Sequence, residues 1–178
     1  MNTKEKLESF VISIPDFPKE GILYRDVTGI LDSAEGLSLA IDELAKALDG
    51  VDFDCIAGLE ARGFIFGAPL ALRFNKPFVP IRKKGKLPRK TVSRSYDLEY
   101  GTAEIEVHPE SLPKGSKVVI IDDLLATGGT AYAAAKLVEE IGCSVVKISF
   151  LIELAGFEAR TTVLSQYETS SVIVYPGK

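Results

Sequence analysis

Two adjacent acids, Asp122 and Asp123, lie between the apolar run Val118-Val119-Ile120-Ile121 and the stretch Leu124-Leu125-Ala126-Thr127-Gly128-Gly129-Thr130-Ala131. A run of β-branched residues without polar alternation suits a parallel strand covered on both faces. Such a strand delivers its ligand loop at its carboxyl end, where open α/β sheets bind ligands. From Ala126 to Thr130 the chain offers small residues, hydroxyls and free backbone N–H groups at the start of a helix, where the dipole and unpaired donors favour an anion. Neither the glycine spacing of a dinucleotide-binding turn nor the terminal Lys-Ser/Thr of a P-loop is present. Two carboxylates facing a polyphosphate would repel it, so they suit hydrogen bonds from sugar hydroxyls beside the phosphate. The stretch is therefore equipped to hold a ribose 5-phosphate.

Four further constellations carry chemistry. The turn Gly58-Leu59-Glu60-Ala61-Arg62-Gly63-Phe64 follows a buried strand and precedes a helix, which puts it at the same sheet edge as the acids. Arg62 can donate paired N–H groups to a pyrophosphate oxygen, and the backbone of Ala61 and Gly63 can approach closely; the alternative is an Arg62–Glu60 pair. The run Arg82-Lys83-Lys84-Gly85-Lys86-Leu87-Pro88-Arg89-Lys90 is the only dense block of like charge, and Arg82, Lys83 and Lys86 stand nearest the ligand edge as counter-charges for phosphates. Nucleic acid is disfavoured as its target, because no interleaved aromatic set is available to stack on bases. After it, Ser95-Tyr96-Asp97-Leu98-Glu99-Tyr100-Gly101 reads as an extended loop, a lid able to exclude water and bring an acid to the reacting group. Upstream of all of these, Phe17 to Thr28 contains the Gly and Pro of an arm that can fold over the active edge, offering the Leu23 backbone and the Arg25 side chain to a flat base.

The elements that must position these groups follow from composition and period. With 178 residues, 46% of them apolar, the chain suits one α/β domain, and a formal charge of −4 gives no general case for nucleic-acid binding. Its longest apolar runs are strand-sized, so none should span a membrane. Met1 to Phe10 lacks the apolar core of a secretion signal, and the expected location is cytoplasmic. Cys55 and Cys143 open apolar runs and read as small buried hydrophobes. The single histidine, His108, reads as a surface residue, which excludes His-based nucleophilic catalysis and a His-rich metal site. Helices are expected at Thr3–Phe10 with Thr3 as cap, Ser33–Leu48, Gly63–Leu72 with an interruption near Pro69, and Thr130–Ile141. Inner strands are expected at Cys55–Leu59, Pro77–Ile81, Val118–Ile121 and Val145–Ile152. Thr102–His108 alternates as an antiparallel strand with one wet side, and Ile14–Gly21 reads as irregular. The tail should hold a short helix and an edge strand over Ser171–Tyr175.

Taken together, the acid pair with its loop resembles the 5-phosphoribosyl 1-pyrophosphate signature of the type I phosphoribosyltransferases. Gly-Lys-Leu-Pro followed by Ser-Tyr-Asp-Leu-Glu-Tyr-Gly resembles the flexible loop of the adenine-using members of that family, and Phe17–Thr28 resembles their base hood. The resemblance implies a mostly parallel sheet flanked by helices in one domain over residues 1–178, with a hood at about 1–33 and a lid at about 82–101. It implies transfer of the phosphoribosyl group to adenine, giving AMP and pyrophosphate. Asp122 and Asp123 would hold the ribose hydroxyls, Ala126 to Thr130 the 5-phosphate, and Arg62 and the Ala61 turn the pyrophosphate, with a cis peptide at Glu60–Ala61. Glu99 would manage the purine proton and Tyr100 close over the reactants, while Leu23 and Arg25 would read the base. Mg²⁺ held by substrate and water, without direct protein ligands, and a homodimer are also implied. No lysine stands at the exit of the last inner strand, where members acting on 6-oxopurines carry one. Another purine, such as xanthine or guanine, is the alternative substrate, and a non-catalytic sensor of phosphoribosyl pyrophosphate is the alternative class. If Glu99 transfers the proton, Glu99→Leu should slow steady-state turnover about a hundredfold or more, and unchanged turnover would return it to the surface.

Overall fold

The computed structural model describes residues 2–98 and 101–178. In chain order the helices are α1 (Thr3–Glu8), α2 (Thr28–Leu31), α3 (Ala34–Lys46), α4 (Arg62–Arg73) and α5 (Gly129–Glu140). The strands are β1 (Ile12–Pro15), β2 (Leu23–Asp26), β3 (Cys55–Leu59), β4 (Phe78–Lys83), β5 (Val92–Asp97), β6 (Thr102–Val107), β7 (Lys117–Leu125), β8 (Ser144–Leu154) and β9 (Thr169–Tyr175). Seven strands form one sheet in the order β5-β6-β4-β3-β7-β8-β9. From β4 through β9 every neighbouring pair is parallel, while β6 joins β4 and β5 antiparallel.

The uninterrupted apolar run of β7 is explained by burial on both sides of the sheet. Val118 and Ile120 pack in a core with Ala134, Leu137 and Val138 of α5, whereas Val119 and Ile121 pack in a second core with Leu44 of α3 and Phe66 and Leu70 of α4. All four strand residues are fully buried, and at about 25 cal/mol per Å² of apolar area such side chains each contribute roughly 1.5–3 kcal/mol. Parallel pairing with β3 ends at Gly58↔Ile121, but β7 continues beside β8 through Leu125↔Glu153. The two acids therefore stand inside β7, just beyond the end of β3, rather than in a loop after the strand.

Several expectations are corrected. Asn2, not Thr3, caps α1, in a reciprocal box with Glu5. Helix α4 runs unbroken past Pro69 to Arg73. The arm at residues 12–26 is not irregular throughout: β1 and β2 pair antiparallel as a separate two-stranded sheet. The extended loop expected around Ser95 is instead strand β5, paired along its length with β6, because alternating Val92, Arg94 and Tyr96 suit a pleat. His108 is buried, 5% exposed, with Nδ1 3.0 Å from the Lys90 carbonyl, because the basic segment wraps back over the end of β6. The expected wet side of β6 is likewise partly dry: Glu106 is 4% exposed. The tail forms only a short 3-10 turn, Ala155–Phe157, before β9. Both cysteines are free and buried, and burial pushes the Cys55 thiol up to about 11.

Close approach of α4 to β7 depends on Gly63. A Cβ there would lie 2.8 Å from the Ile121 carbonyl and 3.1 Å from Asp122 Oδ1. Gly63→Ala should therefore cost about 1–3 kcal/mol of stability in thermal melts and reduce activity at 25 °C by displacing Asp122.

Candidate active site

The site grows from the ends of β3, β4, β7 and β8. Gly128 adopts φ +82° as the residue before α5, a left-handed conformation that suits glycine and turns the chain so that the helix N-terminus faces the acids. Around Leu125 to Ala131 lies a cavity of about 100 Å³, closed by Asp122 and Phe150. Gly129, Thr130 and Ala131 of the first turn of α5 line it together with Thr127, and the N–H groups at a helix start have no partner within the helix.

Beside it, a cavity of about 370 Å³ is lined by Glu60, Ala61, Arg62, Lys83, Tyr96, Asp122, Asp123, Leu124 and Thr130. The Glu60–Ala61 peptide is cis, as the resemblance implied. Arg62 Nε donates to Asp123 Oδ2, so the partner of Arg62 is not Glu60. Glu60 accepts instead from Arg82 Nε at 3.0 Å and from the Lys83 N–H at 2.9 Å. Burial works against the charge of Glu60, yet those donors hold its carboxyl below the usual range. For Arg62, burial is likewise opposed and outweighed by the charge of Asp123, which raises its pKa.

Asp122 is shifted the other way. Burial, then the charge of Asp123, push its carboxyl well above the ordinary range, although the Asp123 N–H donates to Oδ1 at 2.8 Å. A third cavity, of about 240 Å³ and mostly apolar, is lined by Ile22, Leu23, Tyr24, Arg25, Leu124, Ala126, Leu154, Phe157 and Lys178. Within it Arg25 stacks 4.0 Å over the Tyr175 ring and donates to Ser13 Oγ at 2.5 Å. Leu124 lines all three cavities and Asp122 the first two, so they form one cleft.

Of the residues singled out from sequence, Leu23, Arg25, Ala61, Arg62, Lys83, Asp122, Asp123 and Ala126 to Thr130 line this cleft. Arg82 and Lys86 do not. Arg82 is turned to Glu60 and to the Lys86 carbonyl, and the Lys86 N–H is bound to Glu106. Glu99 and Tyr100 lie outside the described residues. Glu60, Tyr96, Tyr24, Leu124, Phe157 and Lys178 were not assigned to the site in advance. Tyr24 stands between two residues that were, and its position was a usable signal; Phe157 and Lys178 come from a tail whose sequence points nowhere. Among the described residues no group of three His, Cys, Asp or Glu side chains is placed to hold a metal.

A strand-borne acid pair beside a helix-capped phosphate cradle defines a phosphoribosyl-transferring class of site. Residues 28–171 match the family described as the phosphoribosyl transferase domain, and the chain belongs to that family. A relative from Agathobacter rectalis, named adenine phosphoribosyltransferase, is 58% identical over 97% of this chain and 98% of its own length. The crystal structure of adenine phosphoribosyltransferase from Thermoanaerobacter pseudethanolicus is 50% identical, covers 97% of this chain and 99% of that one, and superposes with a TM-score of 0.92. The Saccharomyces cerevisiae enzyme of the same name, solved with D-2,5-dideoxy-2,5-imino-altritol 1,6-bisphosphate and adenine, is 37% identical over 96% of this chain and 98% of that one, with a TM-score of 0.89.

Because the folded state raises the Asp122 pKa, the native protein binds more protons than the unfolded chain between the ordinary carboxyl value and the raised one. Stability should thus fall as pH rises through that window. Asp122→Asn is expected to flatten this pH dependence and raise the melting temperature at pH 7, while lowering activity. A variant no more stable than the parent at pH 7 would show that the buried charge is not costly.

Proposed function

We propose that this chain transfers the 5-phosphoribosyl group of 5-phosphoribosyl 1-pyrophosphate to N9 of adenine, releasing pyrophosphate and AMP. The observation that carries the reading is the single cleft joined at Leu124. It has a phosphate cradle, a polar cavity with Arg62 and Lys83, and an apolar cavity under Leu23 and Arg25. Those are the shapes of 5-phosphate, ribose with pyrophosphate, and base, in the order in which the substrates are bonded.

In this reading Asp122 and Asp123 accept hydrogen bonds from the ribose hydroxyls, and ligand hydroxyls compensate the charge that burial makes costly at Asp122. Arg62, the Ala61 turn and Lys83 neutralise the leaving pyrophosphate, while the first turn of α5 fixes the phosphate end. Arg82, held by Glu60, acts through the Lys83 backbone instead of touching phosphate; Lys86 contributes charge at the rim. As the anomeric carbon becomes cationic and the leaving group anionic, fixed charges at each end favour the separated state over the ground state. Glu99 is assigned the proton of the purine ring and Tyr100 the closing contact of a lid spanning about 82–101, above a hood at about 1–33.

Mg²⁺ fits the donor set as a hard cation near two carboxylates, with most ligands drawn from substrate oxygens and water. When bound it would offset pyrophosphate charge. The assembly is assigned as a homodimer and the location as cytoplasmic; no helix among the described residues is long and apolar enough to cross a membrane. Adenine, guanine, hypoxanthine, xanthine and orotate should each be incubated with phosphoribosyl pyrophosphate and Mg²⁺ and the nucleotide identified. AMP is expected from adenine alone. A 6-oxopurine product would move the specificity, and no product with any base would favour the sensor class.

A further inference from the structure

Of the six cations from Arg82 to Lys90 three are neutralised by acids elsewhere in the chain, as is Arg94 beyond them. Arg82, Lys84, Arg89 and Arg94 pair with Glu60, Glu104, Glu110 and Glu140. Among the described residues Lys83 forms no ion pair, and it lines the polar cavity. Lys83 closes β4, where it pairs with Ile105 of β6, and the turn that follows is held as well. There the Gly85, Lys86 and Leu87 N–H groups all donate to Glu106 Oε1, at 3.1, 3.1 and 2.9 Å. The two preceding N–H groups are also taken, Lys83 by Glu60 Oε1 at 2.9 Å and Lys84 by the Glu104 carbonyl at 2.9 Å. Five consecutive donors are thus bound, three of them by one carboxylate that is 4% exposed. Successive backbone N–H groups curled around an anion form a nest, here filled by the protein's own carboxylate. Burial opposes the charge of Glu106, and the Leu87 and Gly85 N–H groups, with others, still keep its carboxyl below the usual range.

We infer that Glu106 is a positioning residue for pyrophosphate, holding the Lys83–Leu87 turn so that the Lys83 ammonium stays at the polar cavity. The inference rests on assigning that cavity to pyrophosphate. Glu60, from the cis turn, and Glu106, from β6, grip the same five residues from opposite ends. This anchors Lys83 to the two elements that frame the leaving-group side. A carboxylate close to an anion site would ordinarily repel the ligand; seated in the nest, its charge is spent on N–H groups.

The test is calorimetric titration of the full chain with Mg²⁺-pyrophosphate, Mg²⁺-phosphoribosyl pyrophosphate and AMP, the last lacking the pyrophosphate. Glu106→Asp keeps the charge but withdraws the oxygen by one methylene. It should weaken both pyrophosphate-bearing ligands about tenfold and leave AMP within about twofold. Glu106→Gln keeps an oxygen at the same reach and should hold all three within about threefold of the parent. Equal weakening of AMP, or no weakening by Glu106→Asp, overturns the inference, as does a glutamine variant as weak as the aspartate one, which would assign the effect to charge. Lys83→Ala separates the two levels. If it leaves pyrophosphate affinity intact, the cavity assignment falls and this inference with it; if it weakens pyrophosphate while Glu106→Asp does not, only the role of Glu106 falls.

Discussion

Two carboxylates side by side on a buried strand are the constraint to which the rest of this structure answers. Burial alone makes a carboxylate costly, and a second one next to it makes it costlier. Asp123 is relieved by Arg62 from the first turn of α4. Asp122 accepts the Asp123 N–H and is also hydrogen-bonded to the Asp123 side chain, and burial together with the charge of that neighbour raises its pKa. The missing side chain at Gly63 lets α4 come close enough to bring Arg62 to Asp123 without displacing Asp122.

The same logic governs the cations. A cleft for a polyphosphate could be lined with free lysines and arginines, at the cost of repulsion among them and of indiscriminate anion binding. Here most basic side chains of the Arg82–Arg94 segment are paired with acids of β6, α5 and the cis turn. The pairing fixes the segment as a hairpin and leaves the Lys83 ammonium without an acid partner among the described residues, while Arg62 is held by Asp123. Surface pairs such as Lys84–Glu104 contribute little stability individually, about 0–1 kcal/mol each. Their effect lies in geometry, since they hold the segment that carries Lys83, the lysine of the polar cavity.

The interior of the sheet was legible in the sequence because it depends on a simple cause. Cys55–Leu59 and Val118–Ile121 are apolar without alternation, and only burial on both faces accommodates that. The acid pair and glycine loop were legible because each residue type answers one demand of a sugar phosphate. What was not legible is whatever long-range contact decides. His108 looked exposed because a Pro follows it, and it is buried only because residues near Lys90 return over it. Glu106 alternates like a solvent-facing residue, and no local pattern shows that a turn some twenty positions earlier will fold its N–H groups onto it. Arg82 and Lys86 looked like ligand groups because charge density shows where cations are, not which acids claim them.

That division bears on how the two halves of the cleft differ. The phosphate cradle and acids sit on β7 and α5, inside the seven-stranded sheet, where displacing one atom disturbs two cores. The third cavity is walled by β2 of a separate two-stranded sheet, by the Ala155–Phe157 turn after β8 and by Lys178, which follows β9 of the main sheet. Rigid placement suits the half that must hold charge in register with a forming cation, since an error of an ångström there is costly. Leu124 lines all three cavities and is where the two halves of the cleft meet. The third cavity thus draws its walls from elements outside the β7–α5 unit that carries the acids.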